Sequence, residues 1–174
     1  MEILVEFAKL ILPAAAVLYA MYLTVKSFIN KEMAQKVVEL KAKNAETLVP
    51  IRLQAYERLI LLLERISPNN MVRRLNDNNY SAKEFQQILI ANIREEFNHN
   101  LTQQVYISDE AWNVTRNAME DVVLTINQAS EGLDEDARSI DLARKVFDQQ
   151  IQKEQDTVSL AIATLKTEVR QYFE

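Results

Sequence analysis

Cysteine is absent from this 174-residue chain, and glycine occurs once, at Gly132. Without thiols there is no disulfide framework, no cysteine nucleophile and no zinc finger, which fits a reducing compartment. One glycine is too few for a phosphate-cradling loop, a Rossmann fingerprint or a set of tight hairpins. Each of these needs backbone conformations that only glycine adopts cheaply. There are three prolines and a single histidine, His99. No G-x-S-x-G elbow, P-loop or kinase signature occurs. What remains is rich in Leu, Ala, Glu, Gln, Lys and Arg, which are good helix formers, so the chain reads as all-α.

The formal net charge is -5, from 20 basic and 25 acidic side chains, and it is unevenly placed. Residues 1–49 hold six lysines and five glutamates, net +1, which leaves 50–174 at net -6. An acidic domain repels phosphate backbones, so nucleic acid is not an expected partner.

Sixteen residues from Leu10 to Val25 carry no charge. Extended to Phe7 and Ile29, the apolar segment spans about 34 Å of helix, enough for the hydrocarbon layer of a bilayer. Its two lysines, Lys9 and Lys26, lie near the ends, where a long stem reaches the headgroups. Tyr22 suits the interface, and Pro13 is tolerated near the start of such a helix. A cleaved signal peptide fits less well, because Glu2 and Glu6 precede the first lysine. A buried core helix is the other alternative for so short an uncharged run, and an interfacial helix is disfavoured because no polar face exists. The expectation is a single transmembrane helix within residues 1–29, in contact with the bilayer through residues 7–29. A helical stalk over 30–49 and a soluble helical bundle over 50–174 follow it. Lys26, Lys31, Lys36, Lys41 and Lys43 all follow the uncharged run Leu10–Val25, so the positive-inside rule puts the C-terminal side in the cytoplasm and the N-terminus outside. Lys31, Lys36, Lys41 and Lys43 are also candidates to face anionic lipid.

Beyond the stalk, Pro50 is expected to end or kink the first helix and to open a second. That second helix carries Tyr56, Leu59, Ile60, Leu63 and Ile66 at three-and-four spacing. Its run from Leu59 to Leu63 is apolar on all sides, which predicts a central position. Ser67-Pro68-Asn69-Asn70 stops it. Ser81-Ala82-Lys83-Glu84 is a capping box opening a helix that buries Phe85, Ile88, Leu89, Ile93 and Phe97. Val105-Tyr106-Ile107 is ambiguous between helix and strand. Ser108 or Asp109 caps the next helix, with Trp112, Thr115, Met119, Val122 and Ile126 inward and Gly132 as its left-handed stop. A further helix follows Asp134-Glu135-Asp136, burying Ile140, Ala143, Phe147 and Ile151. Asp156 or Thr157 caps the last, with Val158, Ile162, Leu165, Val169 and Phe173. Short loops predict antiparallel neighbours in one bundle.

Only the surroundings of His99 merit a catalytic test. Glu96-x-x-His99 has the helix spacing of a di-iron carboxylate site, but that site needs a second such pair and the chain has no second histidine. No metal and no cofactor are expected. Glu95, four residues before His99, is in reach to orient it as a general acid or base. The plainer role for Asn98-His99-Asn100 is to cap backbone groups at a helix end. Arg73 and Arg74 suit an anionic headgroup or partner, or plain solvated surface.

In wording, PIRLQAYERLILLLERISPNN (50–70) and IREEFNHNLTQQVYISDEAW (93–112), placed after an N-terminal span, resemble an uncharacterised family of small single-span proteins from Bacteroidota. The resemblance implies a bacterial inner-membrane protein with a cytoplasmic helical domain, and brings no activity with it. Asn69, Asn70, Glu96, Asn98, His99 and Asn100 are therefore carried forward as positions without assigned roles. Together these readings point to a membrane-anchored helical interaction or scaffold protein whose protein partner is not identified by the sequence. The alternatives are a membrane-tethered enzyme using Glu95, Glu96 and His99, or a lipid-binding envelope-organising factor. Self-association is a further expectation, through Ala16-x-x-x-Ala20 in the span and a coiled-coil seam in the stalk. In that seam Asn30, Val37 and Asn44 take a positions while Met33, Leu40 and Thr47 take d.

Overall fold

A helix runs unbroken from Glu2 to Ile66 (α1), through Pro50. The structure, a computed structural model, describes residues 2–171, with side chains described at Lys9 and from Ile11 onward. The expectation that the helix ends at Pro50 is therefore corrected. Proline at this position removes one N–H, and so one bond to the carbonyl four residues back. The flanking residues Lys43–Glu46 and Arg52–Glu57 are mostly good helix formers that carry the helix across that loss. Five further helices follow among the described residues: α2 (Pro68–Leu75), α3 (Ala82–Asn100), α4 (Asp109–Ser130), α5 (Ser139–Gln152) and α6 (Thr157–Arg170). A short 3-10 helix, Leu101–Val105, joins α3 to α4, so the ambiguous stretch is not extended. No strand occurs among the described residues, and the fold is all-α.

The chain divides into two compact units, Met1–Leu48 and Val49–Glu174. In the first unit every described side chain from Ile11 to Ala45 is exposed. Its apolar window has mean hydropathy 1.5 with none of it buried, and it belongs to the one described helix long and apolar enough to cross a membrane. Thr24 Oγ1 donates to the Ala20 carbonyl at 2.8 Å, so its hydroxyl needs no water. Lys26 Nζ sits 5.7 Å from the Tyr22 ring centroid, a cation–π contact one turn apart.

The second unit closes its own core. Tyr56, Leu59, Leu62, Leu63 and Ile66 of α1 are buried, with Phe85, Leu89 and Ile93 of α3 and Val122 and Ile126 of α4. Helix α4 is the central element, packing against α3, α5 and α6. Of the Leu59–Leu63 run, Leu59, Leu62 and Leu63 are buried as a central position requires, while Leu61 is 56% exposed, so the helix is not covered on all sides. Small side chains explain the role of α4: Ala111, Thr115, Ala118, Thr125 and Ala129 are all buried on it and let neighbours approach closely. Trp112 and Met119 are half-buried at the edge of that face, where the Trp112 ring stacks on Phe97 at 5.2 Å. In α5 the inward face is Ser139, Leu142, Ala143 and Val146. The expected set shares only Ala143 with it; Ile140 and Phe147 are half-buried and Ile151 is 82% exposed. A one-residue change of register turns a helix face by about 100°, and an amphipathic sequence with apolar residues on two adjoining stripes fits both registers. In α6 Val158, Ile162 and Leu165 are buried as expected, Val169 is half-buried, and Phe173 lies outside the described residues.

Local signals decide where the helices begin and end. Ser81 N–H donates to Glu84 Oε2 at 2.9 Å and Glu84 N–H donates to Ser81 Oγ at 3.2 Å, a complete capping box. The same strand-like turn is tied to the start of α5 by Ala82 N–H to the Ala137 carbonyl (2.8 Å) and Ser139 N–H to the Tyr80 carbonyl (3.0 Å). Ser108 Oγ accepts from Ala111 N–H at 3.1 Å and caps α4. Gly132 takes φ +71° just past the end of α4, where any other side chain is strained.

The Ser81 backbone N–H, and after it the Ser81 hydroxyl, hold the Glu84 carboxyl below its ordinary value. A lowered folded-state value means that this contribution is complete above the ordinary glutamate range and is lost as pH falls through the lowered value. Urea unfolding of Glu84→Gln should accordingly show a weaker loss of stability on acidification than the parent chain. Ser81→Ala removes the cap itself and is expected to cost about 1 kcal/mol at neutral pH.

Candidate functional site

Helices α1 and α3 enclose an open groove of about 420 Å³. It is lined by Gln54, Glu57, Arg58, Leu61, Leu62 and Arg65 from α1 and by Glu96, His99 and Asn100 from α3. The residues that sequence reasoning grouped around His99 do meet here, but not as a catalytic set. Glu96 Oε1 is bonded to Arg65 Nη2 at 2.6 Å, with the Glu96 side chain only 15% exposed. The Arg65 guanidinium therefore occupies the carboxylate that the sequence spacing had set beside His99. His99 and Glu95 are both exposed, and among the described residues no hydrogen bond joins them, so the expected orienting contact is absent. No three metal-binding side chains come together among the described residues. Asn100 Nδ2 donates to the Glu96 carbonyl at 2.9 Å, capping the end of α3, while Asn98 is exposed.

The neighbouring candidates have structural roles. Asn70 Nδ2 donates to the Glu64 carbonyl at 2.9 Å. Arg74 Nη2 reaches Asn92 Oδ1 at 2.9 Å and the Arg65 carbonyl at 3.3 Å. Both close off carbonyls that the end of α1 leaves without helical donors. Asn69 and Arg73 are exposed beside them. In the first unit Lys31, Lys36, Lys41 and Lys43 are all exposed, and Lys36 pairs with Glu32 at 3.3 Å.

Two polar clusters went unseen in the sequence. Glu168 of α6 accepts from the Tyr56 hydroxyl of α1 through Oε1 and from Ser108 Oγ through Oε2 at 2.8 Å, tying three elements at one point. Asp121 of α4 accepts from Lys153 Nζ at 2.5 Å and Thr157 Oγ1 at 2.6 Å, and Lys153 also donates to Thr125 Oγ1 at 2.6 Å. This second cluster pins the α5–α6 turn to α4. The partners stand 28 to 112 residues apart, so no local spacing announces them. Both clusters join side chains of different elements to one another, as packing devices do.

The groove combines apolar and charged side chains. Leu61 is an exposed apolar side chain, and Arg58, Glu57 and the Arg65–Glu96 pair stand along the same groove. With His99 exposed and outside any hydrogen-bonded constellation, His99→Gln should leave the urea midpoint within about 0.5 kcal/mol of the parent. Elemental analysis of the purified chain should give no stoichiometric metal, and one tightly held iron or zinc per chain would contradict this reading.

A family model described as a family of unknown function (DUF7935) matches residues 2–172. No curated protein and no solved structure matches the chain.

Proposed function

We propose, for a chain that belongs to this family of unknown function, the role of a membrane-tethered interaction module: residues 7–29 span a bilayer and the bundle presents binding surfaces on its cytoplasmic side. The observation that carries the reading is the contrast between the two units. Residues 49–171 close a buried apolar core, with single apolar side chains such as Leu61 and Ile151 left outside it, whereas the segment Ile11–Ile29 buries none of its side chains. In water that exposure is untenable for so long a run, and lipid is the solvent that removes it. Lys26 and Tyr22 stand together where the segment would leave the hydrocarbon, as interfacial anchors do. The lysines that follow favour the cytoplasmic side for the bundle. The ion-paired Glu96 and the exposed His99 favour binding over catalysis. Location in a bacterial inner membrane is part of the same proposal and rests on the sequence resemblance.

Single cysteines introduced into this cysteine-free chain test the arrangement cleanly. A cysteine at position 2 should react with an impermeant maleimide in intact cells, and one at position 150 only after lysis. The reverse pattern would overturn the orientation, and equal labelling of both in intact cells would overturn the span.

A further inference from the structure

The helix face between Asn30 and Leu48 in the first unit is exposed and carries a short apolar stripe, Met33, Val37 and Leu40, between the polar positions Asn30 and Asn44. Met33, Val37 and Leu40 are 59%, 48% and 61% exposed on consecutive turns. We propose that this face docks an amphipathic helix of another protein whose apolar stripe is flanked by aspartate or glutamate, an inference that rests on the tether reading above.

The charges beside the stripe select that occupant. With Asn30, Val37 and Asn44 at a and Met33, Leu40 and Thr47 at d, the charged residues at the flanking e and g positions are Lys36, Lys41 and Lys43. Every one is basic. Glu32, Glu39 and Glu46 fall at c, away from the seam. In coiled coils the e and g residues meet across the interface and set partner choice. A second copy aligned in parallel would bring Lys36 against Lys41 twice over by symmetry. Aligned antiparallel, it would bring g against g and e against e, again lysine against lysine. The stalk is thus built against pairing with itself, and self-association falls to the span. An anionic lipid surface satisfies the lysines but not the geometry. Helix α1 has no break between Glu2 and Leu48, and a segment that continues a spanning helix does not also lie flat in the interface. An acid-flanked helix satisfies both terms, pairing charge at each lysine and covering the apolar stripe. Asn30 and Asn44 at a positions would then fix its register.

Three synthetic helical peptides test this against the full chain in nanodiscs. All carry Val at a, Leu at d and one Asn opposite Asn44, and they differ only in having Glu, Gln or Lys at e and g. Fluorescence anisotropy should rank them Glu, then Gln, then Lys, with about a tenfold step between the first two at low salt, shrinking as salt screens the pairs. The triple variant K36E/K41E/K43E should invert the ranking. Equal affinity for all three peptides, or no binding of the Glu peptide, overturns the proposal. So does a stalk that crosslinks to a second copy through cysteines at 33, 37 and 40, undisplaced by the Glu peptide, or one occupied only in nanodiscs containing anionic lipid. Carbonate extraction of the same chains reports the anchor separately. A chain that stays in the membrane yet shows no peptide preference loses the docking site and keeps the tether.

Discussion

Phe85→Ala is expected to destabilise the bundle by about 3–5 kcal/mol, the range for deleting a buried aromatic ring from a packed core. Phe85 is fully buried on α3, directly behind the Ser81 cap, and belongs to the same core cluster as Leu59, Leu63 and Leu89. A domain of this size has a total stability of about 5–15 kcal/mol, so the variant sits close to unfolding at ambient temperature. Urea denaturation monitored by circular dichroism measures the shift directly. Ile151→Ala is the control: at 82% exposure it should move the midpoint by less than about 0.5 kcal/mol. A large loss at Ile151 would mean that α5 turns the other face inward.

The second large effect concerns the first unit. Removing residues 1–46 should change the protein from wholly membrane-bound to wholly soluble while leaving its thermal midpoint nearly unchanged. Ten Leu, Ile, Val and Phe residues lie between Phe7 and Ile29. At about -0.3 to -0.6 kcal/mol each at the centre of a spanning helix, they favour insertion by at most about 3–6 kcal/mol. Lys9 and Lys26 subtract little, because they stand near the ends. The bundle does not depend on these residues: its buried side chains begin at Ala55, and the compact unit begins at Val49. A truncated chain that aggregates or melts early would show that the core draws on residues before Thr47.

Most of this architecture was legible in the sequence because its signals are local. The Ser81–Glu84 box, the Ser108 cap and the Gly132 stop each act within four residues, and each stands where the sequence placed it. Packing was less legible. Whether α5 turns Val146 or Ile151 inward depends on the helices around it, and the centrality of α4 depends on alanines and threonines that no hydrophobicity pattern emphasises. Pro50 does not end the helix for a related reason: one missing hydrogen bond is outweighed by the good helix formers on both sides. At the candidate site the spacing of Glu96 and His99 was visible, but not Arg65, which arrives from 31 residues away to occupy Glu96. The Glu168 and Asp121 clusters were hidden by the same long separations.

Alkaline carbonate extraction of membranes from cells expressing the intact chain bears most directly on the central claim. The account predicts that the chain remains in the membrane pellet, as an integral protein does, at a pH that strips peripheral ones. Quantitative release into the supernatant would contradict it.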